Sequence, residues 1–207
     1  MSHPELERWN GRFAAPEFVF GTAPNAFLAR QAPRLARGMS ALCVADGEGR
    51  NSVWLAKQGL EVTAFDFSPV GLEKAKKLAR DSGVSVDYRL SSVADWNWHE
   101  RGYDIVVAIF IQFSPPAERA AVFAGVIRAL KPGGLVVLQG YTPAQLKYDT
   151  GGPKQVENLY TEALLRDSFP GFEILHLGSR EEELDEGTRH RGMSAVIDLV
   201  ARKASGR

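Results

Sequence analysis

The sequence lacks the features that mark disulfide-bonded, secreted and membrane-spanning proteins. It has one cysteine, Cys43, so an internal disulfide is excluded, and the apolar run around it is typical of a buried thiol. No apolar run approaches the roughly 20 residues that a membrane-spanning helix needs. The first ten residues also lack the basic and apolar parts of a signal peptide. We therefore expect a cytoplasmic protein with no membrane partner.

An excess of charge of one sign is also absent. Lys and Arg number 25 and Asp and Glu number 25, which gives a formal net charge of zero. Nothing in these totals attracts a phosphate backbone, so no nucleic-acid partner is expected. The acidic run 180–186 has no ordered spacing with histidine, so we predict no metal site and expect a solvated hairpin tip or an edge cover there.

What the sequence does contain is an alternation of apolar runs and segments of helical period, which is typical of βαβ units. Strands are predicted at 41–45, 61–66, 84–90, 103–110, 135–141, 172–178 and 193–203, and helices at 50–59, 68–83 and 116–130. The stretch between the last two strands is too short and too polar for a crossover helix, so they should form a hairpin. The prediction is an α/β fold with a three-layer, Rossmann-like sheet of about seven strands, mostly parallel with a C-terminal antiparallel hairpin.

The loop CVADGEGRN, residues 43–51, leaves the first predicted strand and opens the first helix of these units. Gly47 and Gly49 would let its backbone approach a ligand closely. Asp66 closes the second strand, where a carboxylate can accept hydrogen bonds from both hydroxyls of an adenosine ribose. Together these features predict an adenosine cofactor, and the alternative is a plain tight turn that ends at a surface acid.

The residues around the two glycines distinguish between adenosine cofactors. Ser52 stands where a dinucleotide loop would need its third glycine, which argues against a nicotinamide dinucleotide. A sulfonium cofactor has no phosphate and carries a positive charge, so it accepts an acidic loop that contains Asp46 and Glu48.

On these residues the sequence resembles class I S-adenosylmethionine-dependent methyltransferases, whose first motif runs acid, any residue, Gly, any, Gly, any, Gly. The two later glycines fall on Gly47 and Gly49, whereas Ala45 takes the place of the first glycine and Cys43 that of the acid. We hypothesise that Asp46 replaces the missing acid electrostatically. The stretches GEGRN, LKPGG and EGTRHRG further resemble the small-molecule branch that includes bacterial tellurite-resistance methyltransferases.

The resemblance implies S-adenosyl-L-methionine as cofactor and assigns roles to particular positions. Asp66 would bind the ribose, Phe67 would pack beside adenine, and Ser92 takes the place of an acid near the adenine amino group, with Asp95 as the alternative. The full predicted contact set is Ala45, Asp46, Gly47, Glu48, Gly49, Asn51, Asp66, Phe67, Ser68, Ser92, Val93 and Phe110.

Three residues are candidates for the catalytic step. Gln112 follows the fourth strand and would orient the acceptor or, equally, satisfy loop backbone groups. Tyr141 ends the fifth strand, before a polar insert at 142–153 that would form a lid or a solvated connector. His190 is the one histidine considered for base or anion work, although a surface hairpin is the alternative for it.

The predicted function is methyl transfer by in-line displacement to a small soluble acceptor, which is a thiol, a chalcogen oxyanion, or a hydroxyl or carboxylate metabolite. The alternatives are a nicotinamide-dependent oxidoreductase and a non-catalytic protein that binds S-adenosylmethionine. We expect one domain over 1–207, with an N-terminal helical cap at 1–38, a cofactor-binding core at 39–142, and a substrate-side insert and terminal hairpin at 143–207.

Overall fold

A computed structural model describes residues 3–205 of the chain. Its helices are α1 (His3–Phe13), α2 (Ala26–Ala29), α3 (Arg50–Lys57), α4 (Pro69–Asp81), α5 (Pro116–Ala129) and α6 (Glu162–Ser168). Its strands are β1 (Ser40–Val44), β2 (Glu61–Asp66), β3 (Asp87–Leu90), β4 (Tyr103–Ile109), β5 (Leu130–Tyr141), β6 (Glu173–Glu186) and β7 (His190–Arg202). The seven strands stand in the order β3-β2-β1-β4-β5-β7-β6, so the predicted mostly parallel sheet with a C-terminal antiparallel hairpin is confirmed.

The described chain divides into two compact units. Unit 1 comprises residues 3–96 with 186–189, and unit 2 comprises residues 97–185 with 190–205. A single domain over 1–207 stays a prediction. Within residues 3–205, the structure contains no helix that is both long enough and apolar enough to span a bilayer.

In unit 1 the strands β1, β2 and β3 are parallel neighbours. The register pairs Cys43 with Ala64 and Ala64 with Tyr88, so these three side chains share one face. Every residue of β1 is buried, as expected for a strand that helices cover in a βαβ unit.

Local sequence sets where the helices of unit 1 begin. The Ser68 hydroxyl accepts a hydrogen bond from the Gly71 N–H at 3.1 Å and so caps α4, with Pro69 at the first helical position as predicted. Gly49 precedes α3 with φ at +91°, a left-handed conformation that glycine adopts without penalty.

In unit 2, β4 and β5 are parallel and β5 and β7 are antiparallel. The β4–β5 register shifts between Tyr103 and Ile105, because Tyr103 pairs with Leu130 whereas Ile105 pairs with Leu135. Residues 131–134, predicted as a turn before the fifth strand, are the extra residues of this bulge and lie inside β5.

Besides β5, three predicted strands differ from the structure by three or more residues at one end. β3 begins at Asp87 and not at residue 84, since only Asp87–Leu90 pair with β2. β7 begins at His190, three residues earlier than predicted. For the acidic run 180–186 a solvated hairpin tip or an edge cover was expected. The run continues β6 at the edge of the sheet and the turn lies at 187–189, so the tip alternative is wrong. Arg180 neutralises part of the run by pairing with Glu182 at 2.5 Å.

Candidate functional site

The loop after β1 in unit 1 has the tight, left-handed backbone that its glycines predict. Gly47 has φ at +62° and Gly49 at +91°. Ala45 also has a positive φ, +49°, at the position where the resembled motif has glycine. A left-handed conformation costs a residue with a Cβ roughly 1–2 kcal/mol, so the loop keeps its shape here at some cost in stability.

Asp66 ends β2 directly beside this loop, and its carboxylate is anchored by backbone groups. The Gly47 N–H donates to Oδ2 at 2.9 Å and the Ser68 N–H donates to Oδ1 at 2.8 Å. Burial raises the pKa of this carboxyl to about 6, although hydrogen bonds from Ser68 and Gly47 lower it. Because a carboxylate oxygen has two lone pairs, each oxygen retains acceptor capacity for a ligand hydroxyl.

The two alternatives for the adenine side form one hydrogen-bonded unit. The Ser92 hydroxyl donates to Asp95 Oδ2 at 2.6 Å, and the Asp95 N–H donates back to the Ser92 hydroxyl at 3.2 Å. Val93, which follows Ser92 in the sequence, is buried. The Trp96 ring stacks on Phe65 of β2 with ring centroids 4.2 Å apart. The segment after β3 is therefore fixed against β2, with the acid and the hydroxyl in one turn.

Asp46, the residue hypothesised to replace the missing acid, is hydrogen-bonded within the protein. Its Oδ2 accepts a hydrogen bond of 2.5 Å from the Ser52 hydroxyl, which also lies 3.0 Å from the Tyr88 hydroxyl. Burial raises the pKa of Asp46 to about 7, the Ser52 hydrogen bond lowers it, and the charge of Asp66 raises it. Burial also raises the pKa of the Cys43 thiol, which agrees with an inert, buried cysteine. Whether Asp46 replaces the missing acid stays a prediction.

These shifts predict how stability depends on pH. The folded-state pKa of Asp46, about 7, lies above its ordinary value of 3.8, so the folded protein binds this proton more tightly than the unfolded chain does. The protonated Asp46 therefore stabilises the folded state fully below pH 3.8, and this stabilisation is lost as the pH rises toward 7. We expect the contribution of Asp46 to the free energy of unfolding to fall over this window, by up to about 1.4 kcal/mol per pH unit, so the total should fall less steeply in Asp46→Asn.

Urea unfolding followed by circular dichroism between pH 4.5 and 7.5 measures this difference. Asp87→Asn is the matched control, because Asp87 belongs to the same unit and is exposed in β3. Parallel curves for Asp46→Asn and the unsubstituted protein would show that Asp46 does not titrate in this window.

Two predicted contact residues use their side chains within the protein. Glu48 is 3 % exposed, accepts a hydrogen bond from the Val19 N–H at 2.8 Å and pairs with Lys74 at 2.5 Å. The Asn51 side-chain oxygen accepts from the Asn25 N–H at 2.9 Å. These two side chains therefore bind residues of the N-terminal region, and a cofactor contact by either residue stays a prediction.

In unit 2 the structure brings together three predicted residues as an aromatic cluster, defined as Phe110, Tyr141 and His190. The Phe110 ring stacks on Tyr141 at a centroid distance of 4.7 Å and meets the His190 ring edge-on at 4.4 Å. Phe110 has φ at +55°, a strained conformation that often accompanies functional sites. His190 is the first residue of β7, directly after the hairpin turn, and is 8 % exposed, so it lies on the hairpin but is buried and not at the surface.

Gln112 is a buried support of the backbone. Its Nε2 donates to the carbonyl oxygens of Tyr141 at 2.9 Å and Asn158 at 3.0 Å, and its Oε1 accepts from the Tyr141 N–H at 2.5 Å. Both donor hydrogens of the amide are thereby used. The structure thus favours the alternative interpretation, in which Gln112 satisfies backbone groups and holds the end of β5.

The polar insert at 142–153 is attached to β7. Gln145 accepts from the Ala195 N–H at 2.7 Å, and the Thr150 hydroxyl donates to the Met193 carbonyl at 2.8 Å. Gln145 also donates to Thr150 at 3.0 Å, so the two attachments are linked. These contacts disfavour a freely solvated connector, and movement of the insert as a lid stays a prediction.

Sequence reasoning missed a buried ion pair in unit 1. Arg50 Nη2 lies 2.7 Å from Glu186 Oε2, and both side chains are 8 % exposed. The only available signal was an arginine directly after the glycine loop, because its partner lies 136 positions away. Within the part of the chain that the structure describes, no group of three or more His, Cys, Asp or Glu side chains could hold a metal ion.

Comparisons with known proteins agree with this geometry. Residues 41–134 match the family model of a methyltransferase domain. The ubiquinone biosynthesis O-methyltransferase of Methylocella silvestris is 32% identical over 111 residues, which cover 52% of this chain and 41% of that protein. The protein of the same name from Xanthomonas axonopodis pv. citri is 31% identical over 124 residues, covering 59% and 52%. The chain spans about half the length of these relatives. Their names give no support to the alternative of a nicotinamide-dependent oxidoreductase.

Solved structures share the fold at low sequence identity. The N-methyltransferase NodS from Bradyrhizobium japonicum, in complex with S-adenosylhomocysteine, has a TM-score of 0.75 and 12% identity, covering 96% of this chain and 97% of that one. TehB from Haemophilus influenzae has a TM-score of 0.71 and 16% identity, covering 96% and 67%. At such identities the likeness establishes the fold.

Proposed function

We propose that this chain, which carries a class I S-adenosylmethionine-dependent methyltransferase domain, transfers a methyl group to a small soluble acceptor. The observation that carries the proposal is the Asp66 carboxylate, held at the end of β2 by the N–H groups of Gly47 and Ser68. This arrangement ties the glycine loop and the acid into one preorganised unit.

The donor set of unit 1 fits the cofactor. Bound S-adenosylmethionine supplies a methyl group on a positively charged sulfur, and the neutral product is S-adenosylhomocysteine. Asp66 would accept hydrogen bonds from the ribose hydroxyls, and Asp95, fixed by Ser92, would accept one from the adenine amino group. Lys74 pairs with Glu48 and Arg50 pairs with Glu186, so these two cations near the loop are neutralised, which suits a ligand without phosphate.

For the acceptor, the proposal rests on the aromatic cluster of unit 2. Its rings offer an apolar surface, and His190 supplies the imidazole among them, so we propose that it takes the proton from a hydroxyl acceptor. Gln112 fixes the backbone of Tyr141 and with it the position of that ring. The names of the ubiquinone O-methyltransferase relatives favour a hydroxyl acceptor, and a thiol or a chalcogen oxyanion remains in the proposed set.

Calorimetric titration with S-adenosylmethionine, S-adenosylhomocysteine and NADH tests the cofactor, and radiolabelled methyl transfer to catechols, thiols and tellurite tests the acceptor. We expect S-adenosylhomocysteine to bind and NADH not to bind. Binding without transfer to any acceptor of the panel would support the non-catalytic alternative, and binding of NADH alone would overturn the proposal.

His190→Asn separates acceptors that need a base from those that do not. A hydroxyl acceptor must lose a proton to a base, so its turnover is expected to fall by about 100-fold, with unchanged affinity for S-adenosylhomocysteine. A thiolate or an oxyanion acceptor arrives deprotonated and should be affected little. His99→Asn is the control, because His99 is exposed in unit 2. Equal turnover of a hydroxyl acceptor by both variants would remove His190 from the proton transfer.

We also propose a cytoplasmic location and the absence of a nucleic-acid partner, as expected from the balanced charge. Cell fractionation tests the location, and a gel-shift assay at low salt tests nucleic-acid binding.

A further inference from the structure

The side chains of the GEGRN stretch hold another part of the chain, here called the N-terminal segment and defined as residues 18–26. Glu48 accepts a hydrogen bond from the Val19 N–H at 2.8 Å, and Asn51 accepts one from the Asn25 N–H at 2.9 Å. Arg50 Nη1 donates to the Phe20 carbonyl at 3.3 Å. The side chains of Glu48, Arg50 and Asn51 therefore form hydrogen bonds with the backbone of this segment.

A third region completes the arrangement: the hairpin tip, defined as residues 186–189, which are the last residue of β6 and the turn before β7. Glu186 is 9 % exposed and accepts hydrogen bonds from Arg50 at 2.7 Å, the Ala26 N–H at 2.9 Å and the Asn25 side chain at 3.0 Å. One carboxylate thus joins the start of α3 to the start of α2. Its partners lie 136 to 161 positions away in sequence.

The backbone of the hairpin tip fits the N-terminal segment closely. The Thr188 N–H donates to the Val19 carbonyl at 2.9 Å. A Cβ added at Gly187 would lie 2.5 Å from the Val19 oxygen and from the Phe20 carbonyl carbon. The tip can adopt this position because Gly187 lacks a side chain and has φ at +79°.

Charge makes Glu186 the central member of the arrangement. Burial alone would raise its pKa, but the Arg50 charge and the hydrogen bonds from Ala26, Arg50 and Asn25 outweigh burial and hold the pKa below its usual value. Glu186 is therefore ionised at neutral pH. Loss of its charge would leave the Arg50 guanidinium buried without a counter-ion, which is a costly state.

The same loop makes the contacts proposed for the cofactor. Gly47, one residue before Glu48, donates its N–H to Asp66, and the Phe13 ring of α1 lies 3.4 Å from the position of a Cβ on Gly47. Peptide groups proposed to contact the cofactor, such as that of Gly47, thus stand next to residues such as Glu48, whose side chain binds the N-terminal segment. Displacement of that segment would release the loop backbone between them.

We propose that Glu186 is a positioning residue for the cofactor: through Arg50 and Asn25 it holds the N-terminal segment and the glycine loop in the binding geometry. The hairpin tip thereby sets the affinity and the exchange rate of S-adenosylhomocysteine. This inference rests on the proposed function, because it concerns the same cofactor site.

The test compares Glu186→Gln with Glu183→Gln, an exposed acid of the same strand. For Glu186→Gln we expect the dissociation constant of S-adenosylhomocysteine to rise about tenfold or more, with faster dissociation. In the ligand-free protein, amide hydrogen exchange should accelerate at residues 18–26. Glu183→Gln should match the unsubstituted protein in all three measurements. Binding is measured well below the unfolding temperature, where a purely structural role would leave the affinity of the folded protein unchanged.

A second variant keeps the test decisive if Glu186→Gln does not fold. Asn25→Ser retains a hydroxyl that can cap α2 but removes the amide donation to Glu186, so a smaller rise in the dissociation constant is expected. Faster exchange at 18–26 with an unchanged dissociation constant would overturn the inference and leave the proposed function standing. If the unsubstituted protein does not bind S-adenosylhomocysteine, the proposed function itself fails.

Discussion

Asp66→Ala is expected to weaken the binding of S-adenosylhomocysteine by about 100-fold or more. The substitution removes the acceptor proposed for the ribose hydroxyls, and a hydrogen bond to a charged group contributes about 1.5–3 kcal/mol. Two such bonds exceed the roughly 2.7 kcal/mol that corresponds to 100-fold in affinity. Asp66→Ala also removes the carboxylate that accepts hydrogen bonds from the N–H groups of Gly47 and Ser68. Calorimetric titration of the purified variant measures the effect.

Asp66→Asn separates the two contributions. An asparagine at 66 keeps one carbonyl oxygen, which can bond only part of what the carboxylate bonds, so an intermediate affinity is expected. Asp87→Ala, an exposed acid in β3 of the same unit, should bind like the unsubstituted protein. Circular dichroism and urea unfolding show whether each variant is folded. A folded Asp66→Ala that binds within threefold of the unsubstituted protein would exclude Asp66 from the ribose site.

The sequence predicts the elements of the core best where local chemistry and burial agree. β2 has the predicted bounds, since an apolar run lies between Gly59 and the Ser68–Pro69 helix start. The start of β3 could not be predicted in the same way, because an alternating segment can extend beyond the residues that its neighbour pairs. The acidic run 180–186 left a hairpin tip and a sheet edge as alternatives for a related reason: an edge strand tolerates charged side chains that a central strand does not.

The sequence predicts much less about which partner each side chain has. The loop, Asp66, Phe110, Tyr141 and His190 were predicted as site residues one by one. The structure brings the loop and Asp66 together in unit 1 and the three rings together in unit 2. The partners of Glu48, Arg50 and Asn51 lie 26 or more positions away, and no local pattern specifies them. Gln112 shows the same limit: the residue type allowed both interpretations, and its backbone partners distinguish between them.

Gly49→Ala is expected to destabilise the protein by about 2–5 kcal/mol. A Cβ at this position would lie 2.7 Å from the Ala75 Cβ and 2.8 Å from the Ala75 Cα, so the clash is with the body of α4 and not with a flexible side-chain end. Overpacking of this kind costs about 1–3 kcal/mol. The left-handed conformation at φ +91° adds about 1–2 kcal/mol. Urea unfolding measures the change.

Gly11→Ala is the matched control, because Gly11 lies in α1, lacks a positive φ, and has nothing within 4 Å of an added Cβ. There alanine should stabilise the protein by about 0.5–1 kcal/mol, since it restricts the unfolded chain and favours the helix. Opposite signs at the two glycines would show that the close approach of α3 to α4 requires glycine at 49. Equal small effects would mean that α4 can move away from the loop. In that case the peptide groups around Gly49 would not be held rigidly enough to act as a preorganised cofactor site.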